Sequence, residues 1–335
     1  MPRKAGGYLR NLGCTLTDSE KPLVTFALFA YNQEEYIREA VEGALSQSYS
    51  PLEIILSDDS STDATFTIMA EMVADYSGPH SVSVRRNDVN LGLAGHVNKI
   101  NEIAGGELIV AAAGDDISYS YRVTKLVDQW LITGKRECSI FSAMDEIDFK
   151  SQKTGKIYRS TVAWNKVKPS HMIESNMGVY GAAHAWSVRV PRFFPAMFSE
   201  VINEDAVIPF RATLLGGITY IDEVLVAYRA NIGLASNYGD GVMPARRMAR
   251  QVALLHRPYV VSVQRIADLK FVGGVYMHLI ALAKSRRADY LFRYWLAAGR
   301  TWTLKRIIYF GRRSRFAWIV RELWLHFEAG IRGEK

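Results

Sequence analysis

The chain predicts an α/β protein with a mostly parallel sheet flanked by helices and a helical C-terminal extension. Two observations carry that reading. Apolar runs alternate with amphipathic stretches through the first 117 residues, and beyond residue 240 only the helical pattern remains.

Each element has its own warrant. Residues 23–31, Leu23 to Tyr31, read as a strand buried on both faces, as parallel sheets require. Asn32-Gln33-Glu34-Glu35 opens a helix whose apolar residues Tyr36, Ile37, Ala40, Val41, Ala44 and Leu45 recur at helical spacing. Pro51 precedes a second strand, Leu52–Ser57, which ends in Asp58-Asp59-Ser60-Ser61-Thr62-Asp63. That cluster offers N-caps for a helix over 64–76. A third strand covers 82–86, and the turn-rich loop from Asn87 to Gly95 leads into a helix over 94–104. The fourth strand ends at Gly114-Asp115-Asp116. This order makes a doubly wound sheet, in which ligands sit beyond the carboxyl ends of the strands. Further on, the pattern predicts a helix over 120–133, a strand near 138–144, a turn at 150–156 and a helix near 169–176. A Gly/Ala-rich stretch from Gly178 to Ala185 follows, then a helix starting near Asn203 and a strand over 218–229.

Composition narrows the class. At 335 residues and 49% hydrophobic content the chain can bury a large core. Cys14 and Cys138 lie far apart with no metal-ligand spacing, which argues against disulfides and zinc and fits a reducing compartment. The first 21 residues lack an apolar signal-peptide core, and no run reaches the roughly 18 residues of a membrane span. The expected location is cytoplasmic, with peripheral attachment to the inner membrane face. The net charge of +7 is uneven: residues 284–335 hold 13 Lys and Arg against 4 Asp and Glu, with four of the seven tryptophans. There Phe316, Ile319, Val320, Leu323, Trp324 and Phe327 share one helical face, with Arg312, Arg313, Arg315 and Arg321 around them. That pattern fits an anionic membrane surface, or packing on protein through 284–335, including self-association. No specific nucleic-acid partner is expected. The domain reading is an N-terminal extension (1–21), a catalytic domain (22–240) split into a nucleotide-sugar half (22–117) and an acceptor half (118–240), and a helical, basic, aromatic-rich region (241–335).

The chemistry sits in three acidic pairs: Asp58-Asp59, Asp115-Asp116 and Glu204-Asp205. Adjacent carboxylates at a buried strand end need a cation or hydrogen-bond donors, and this recurrence points to a site for a metal ion and phosphates. The bland readings are a capping cluster, a polar turn and an acidic first helical turn respectively.

In sequence order, eight pieces resemble the inverting family 2 glycosyltransferases of the GT-A fold: Val24 to Asn32, Leu45 to Tyr49, Ile54 to Asp63, Asn90-Leu91-Gly92, Gly106 to Ile109, Gly114-Asp115-Asp116, Asn203-Glu204-Asp205 and Tyr228-Arg229. The resemblance covers residues 22–235. It implies a GT-A-type, Rossmann-like sheet and transfer of a sugar from a nucleotide donor, a UDP-sugar, to a hydroxyl of a glycan or lipid-linked glycan in cell-surface polysaccharide synthesis. By resemblance, Tyr31 stacks on the base, Asp59 accepts its imide N–H, Asn90 and Gly92 border the nucleotide, and Asp115 reaches the ribose. Asp116, ending the DXD-type motif, holds Mn²⁺ or Mg²⁺. Asp205 is the base that deprotonates the acceptor, with Glu204 beside it. His184 and Trp186 are candidate acceptor contacts, and Arg229 and Asn231 candidate phosphate contacts. Two positions depart from the family: Phe29 stands where a hydroxyl residue is common, and Asn231 where a histidine is. The rival readings are a sugar nucleotidyltransferase, which the Ala30-Tyr31-Asn32-Gln33 loop disfavours for want of glycine and basic residues, and a non-catalytic glycan-binding scaffold.

Overall fold

The computed structural model describes residues 21–136, 138–230, 232 and 244–297. The first half alternates as expected: β1 (Val24–Ala30), α1 (Ile37–Leu45), β2 (Leu52–Asp58), α2 (Thr65–Val73), β3 (Ser81–Arg86), α3 (Gly92–Ile103) and β4 (Leu108–Ala113). Then come β5 (Ile117–Ser118), α4 (Arg122–Ile132), β6 (Cys138–Ile147), β7 (Lys153–Tyr158), α5 (Pro169–Ser175), β8 (His184–Ser187), α6 (Arg189–Phe193), α7 (Glu204–Leu215) and β9 (Gly217–Arg229). Helices α8 (Pro244–Val272) and α9 (Leu279–Ala297) close the described chain. The basic aromatic segment after residue 297, the first 20 residues with Cys14, and Asn231 lie outside the described residues.

The strands form one sheet in the order β3-β2-β1-β4-β8-β6-β9-β5, with β7 paired to β6 beside this path. Strands β3, β2, β1 and β4 are parallel, and β8 runs antiparallel between β4 and β6. Alternation along β1 shows why both faces are apolar. Val24, Phe26, Leu28 and Ala30 pack with Ile37 and Val41 of α1 and Leu126 and Trp130 of α4. Ala27 and Phe29 point the other way, onto Ala94 and Val97 of α3 and the Ile208 side of α7. A strand buried on both sides has no polar face to show, so the run reads as continuous. Helix α1 buries Ile37, Ala40, Val41 and Ala44. Gly43 presses its backbone on β5, where an added Cβ would lie 2.9 Å from the Ser118 carbonyl oxygen.

Three expectations need correction. The turn assigned to 150–156 is shorter: the Asp148 carboxylate accepts the N–H groups of Lys150 (2.8 Å) and Gln152 (2.9 Å), and from Lys153 the chain is strand β7. The Gly/Ala-rich stretch holds a strand, β8, wedged into the sheet, where His184 to Ser187 are all buried. The Asp/Ser cluster after β2 holds the start of α2 not from the N-cap residue, Ala64, but from Asp63, whose Oδ1 accepts the Thr65 N–H at 3.0 Å. Asp58 instead closes its own loop, accepting the Ser61 N–H (2.9 Å) and hydroxyl and pairing with Arg86 at 3.2 Å.

Helix α8 is built into the domain by buried charge. Asp268 receives Arg211 of α7 through Nε (3.0 Å) and Nη2 (2.9 Å), and both side chains are about 1% exposed. Gln264 donates to the same carboxylate at 2.9 Å. Arg265 donates to the carbonyls of Met172 (2.6 Å), Met177 (2.9 Å) and Ala206 (3.0 Å). Phe141, Phe210 and Ile218 share a core with Ile266, Leu269 and Ile280.

Candidate active site

Register brings the site together. Ala30 pairs with Asp58, and Phe29 with Ala113, so β1, β2 and β4 end at one edge. Beyond that edge lies a cavity of about 690 Å³ lined by residues including Tyr31, Asp59, Asn90, Gly92, Asp115, Asp116, Trp186, Glu204 and Asp205. Segments far apart in sequence, and expected to act together, thus face one space. His184 is absent from that lining.

At the end of the cavity formed by β1 and β2, the turn after β1 needs left-handed backbone at Asn32 (φ 50°). Asn32 makes that turn with its side chain, its Oδ1 accepting the Thr62 N–H at 2.8 Å. Tyr31 is left 48% exposed at the rim, its ring free to meet a flat ligand. Asp59 is buried, and its Oδ1 accepts both Asn87 Nδ2 (2.7 Å) and the Leu91 N–H (2.9 Å). Asn87 is itself held by Arg85 Nη2 at 2.5 Å. The second arm of Arg85 donates to Ser57 Oγ (2.5 Å), which sits 2.6 Å from His96 Nε2. Burial drops the His96 imidazole to about 4, against the pull of Asp59, so the ring is neutral at pH 7. Asn90 Oδ1 accepts the Gly92 N–H at 3.0 Å, and Gly92 takes φ 68° to start α3.

The Asp115-Asp116 pair is enclosed. Burial raises both carboxyls, and the Asp115 charge raises Asp116 further, well above the usual range. Asp116 Oδ1 accepts the backbone N–H of Arg229 at 2.8 Å. The Arg229 guanidinium points away, into the protein. It donates to the carbonyls of Asp115 (2.9 Å) and Asp148 (2.9 Å), to Ser151 Oγ (3.0 Å) and to Glu39 (2.7 Å), above the Tyr36 ring at 4.6 Å. Sequence reasoning offered Arg229 as a phosphate contact; in the fold its side chain braces the motif. A second buried arginine, Arg122, opposes the rise of Asp116 by its charge. It donates to the carbonyls of Ala111 (2.7 Å) and Ala182 (3.1 Å) and to Ser118 Oγ (2.8 Å).

At the opposite end, Glu204 and Asp205 form the first turn of α7. Both open onto the cavity, and desolvation pushes Glu204 up to about 8, with help from Asp205, and Asp205 up to about 6. Arg257 on α8, which also lines the cavity, draws Asp205 back down. Gly181 makes room for the pair: an added Cβ would lie 3.3 Å from Glu204 Oε1 and 3.5 Å from Asp205 Oδ2. Trp186 keeps its indole N–H on Asn101 Oδ1 (2.9 Å) and turns carbon to the cavity. His184 is fully buried, its Nε2 2.7 Å from Ser139 Oγ and its ring 4.9 Å from Trp186; it packs and does not line the cavity.

Sequence reasoning passed over Gln33, Tyr36, Glu39, Arg122 and Arg257. Glu39 and Arg122 carried no local signal, since both sit on ordinary helical patterns. Among the described residues no cluster of three or more His, Cys, Asp or Glu side chains could hold a metal ion. The Asp115-Asp116 pair still suits a hard divalent ion that takes its other ligands from phosphate and water, as magnesium-type ions do.

The chain's relatives have the same stamp. Residues 25–176 match the family model "Glycosyl transferase family 2". The putative glycosyltransferase EpsE of Bacillus subtilis is 38% identical over 106 residues, 32% of this chain and 37% of that protein. The Escherichia coli UDP-Glc:alpha-D-GlcNAc-diphosphoundecaprenol beta-1,3-glucosyltransferase WfaP is 30% identical over 38% of this chain and 54% of its own length. The chain thus spans only about a third to a half of these curated relatives. Among solved structures, residues 1–349 of S. aureus TarS, in complex with UDP-GlcNAc, superpose with a TM-score of 0.55 at 16% identity, over 82% of this chain and 72% of that one. Residues 25–176 thus resemble a glycosyl transferase family 2 domain, and the sheet that carries them is of the GT-A kind.

Proposed function

We propose that the protein is a glycosyltransferase that moves a sugar from a nucleotide donor, a UDP-sugar, to an acceptor hydroxyl with inversion, in the synthesis of a cell-surface glycan or polysaccharide. One observation carries this reading: Asp115-Asp116 and Glu204-Asp205 line the same cavity, as a single displacement between a diphosphate and a base requires. The relatives named above support the reaction class and the glycan acceptor.

The residues divide the work. Tyr31 stacks on the base, and Asp59, with Oδ1 taken by Asn87 and Leu91, turns its other oxygen to the imide N–H of uracil. Asn90 and Gly92 border the nucleoside, and Asp115 receives the ribose. Asp116, with Asp115, would hold a divalent ion, Mn²⁺ or Mg²⁺, which when bound neutralises charge on the leaving diphosphate. Asp205 takes the proton of the attacking hydroxyl, and Glu204 positions the acceptor. With base and leaving group on opposite sides of the anomeric carbon, no covalent intermediate forms and the configuration inverts. Peripheral attachment to the membrane through 284–335 belongs to the same proposal, since a lipid-linked acceptor sits there.

The test is turnover of UDP-sugars with Mn²⁺ by the wild type, Asp116→Asn and Asp205→Asn. Loss of about 100-fold or more in each variant is expected; equal rates in all three proteins sink the enzymatic reading.

A further inference from the structure

Between the nucleotide end and the base, the cavity has a wall of a different character. Phe29 of β1, Leu93 and Val97 of α3, Ala111 of β4, Trp186 of β8 and Ile202 before α7 line it. Two of the polar atoms on this side are already engaged. The Trp186 N–H is on Asn101, and His96 Nε2 is on Ser57, with the imidazole edge-on to Phe29 at 5.0 Å. Phe29 and Leu93 are half-buried and Ile202 is 38% exposed, while Val97 and Trp186 form the 1%-exposed back of the wall. This is the open margin of the core packed between α3, β8 and α7.

The wall ends beside Asn203-Glu204-Asp205, and its other end adjoins Asn90 and Gly92. In the function proposed above, the anomeric carbon lies between the diphosphate and Asp205, so the transferred sugar spans this stretch. A hexose ring carries hydroxyls all round, and those facing Phe29, Leu93, Val97 and Trp186 would lose water without gaining a partner. An apolar substituent meets no such cost and buries against carbon.

We propose that this wall seats an apolar group on the transferred sugar, so that the preferred donor carries an acetamido or a 6-deoxy methyl group in place of a hydroxyl. The inference rests on the nucleotide-sugar reading of the site. Both donor types present the same chemistry to the wall, a methyl group, and separate arms tell them apart.

The experiment is donor binding by the full chain with Mn²⁺ and no acceptor, read by calorimetry. One arm compares UDP-N-acetylglucosamine with UDP-glucose; the other compares dTDP-6-deoxyglucose with dTDP-glucose; UDP and dTDP alone are the references. Binding about tenfold tighter for the methyl-bearing member of either pair is expected, the size of effect one apolar group has in such a wall. Leu93→Asn, at a half-buried helix position the fold tolerates, is expected to bring that ratio within about twofold. Val97→Thr, nearly the same shape, is a second check on the same ratio. Equal affinities within both pairs, or tighter binding of the plain hexoses, overturns the proposal while leaving the glycosyltransferase reading intact if UDP binds. Failure of both UDP and dTDP to bind removes the UDP-sugar reading, and the wall assignment falls with it.

Discussion

The backbone N–H of Arg229 donates to the Asp116 carboxylate at 2.8 Å, joining residues 113 positions apart in sequence. The side chain of Arg229 is committed elsewhere, to Glu39, Ser151 and the carbonyls of Asp115 and Asp148. The end of β9 therefore fixes the acidic motif from below, and one residue serves both as donor and as brace.

Replacing that brace has a defined cost. Arg229→Ala keeps the backbone N–H but strips partners from Glu39 and from two enclosed carbonyls. A loss of about 1–3 kcal/mol in unfolding free energy is expected, mostly from the buried Asp115 carbonyl losing its Arg229 donor, since Glu39 is 42% exposed and keeps the Ser151 hydroxyl. Denaturant unfolding measures it. A variant as stable as wild type would mean the guanidinium contributes nothing to the fold.

The Glu204-Asp205 pair gives a stability prediction with a definite sign. Both carboxyls are raised in the fold, to about 8 and about 6, above their ordinary values of 4.5 and 3.8. The native state then holds protons that the unfolded state has released, so stability falls as pH rises. The pair's contribution is full below about pH 4 and is lost through pH 6 toward pH 8. Glu204→Gln, neutral at every pH, should show a flatter melting temperature between pH 5 and pH 8 than wild type. Under the proposed function, where Asp205 is the base and works only when ionised, activity runs the opposite way: turnover should climb as pH rises through about 6.

Much of the site was readable because its chemistry comes in short local strings. Asp58-Asp59 and Asp115-Asp116 end parallel strands, so their meeting follows from strand order, while Glu204-Asp205 joins them from the start of α7. What could not be read depends on chain crossings that leave no local mark. Strand β8 hid in a Gly/Ala-rich stretch because four buried residues are too few to show alternation. His184 looked like an acceptor contact because its neighbours are small, yet those neighbours let the backbone close over it, so the ring is sealed in the sheet. Arg229 was a candidate phosphate contact because sequence cannot tell a side chain aimed at a ligand from one aimed at Glu39 of α1. Asp58 looked like a helix cap because a cap and a self-closing loop use the same residues.

The Arg211–Asp268 pair yields a test of how α8 is held. Each side chain is about 1% exposed and the two meet at 2.9 Å and 3.0 Å. Asp268→Ala leaves a buried guanidinium facing Gln264 and the Pro195 carbonyl, with no anion. A loss of about 3–5 kcal/mol is expected, as for other buried pairs broken on one side. The double variant Arg211→Met/Asp268→Leu should recover most of it, and thermal melting of the three proteins checks both outcomes.

Gly181 supplies the sharpest probe of the acidic pair at α7. A methyl there would stand 3.3 Å from Glu204 Oε1, 3.4 Å from Asp205 Cβ and 3.5 Å from Asp205 Oδ2. The first distance is tighter than ordinary contact, so Glu204 must shift by a few tenths of an ångström, and the three nearest atoms all belong to Glu204 and Asp205. Gly181→Ala should therefore lower turnover by about tenfold or more and leave the melting temperature within a few degrees, because small displacements of a reacting group cost far more in rate than in stability. Gly181→Val, with two more methyl carbons aimed at the same carboxylates, should lower it further. Affinity for UDP, measured without acceptor, should stay within about twofold in both. A turnover loss matched by an equal loss of UDP affinity would instead assign Gly181 to the donor end and detach it from Asp205.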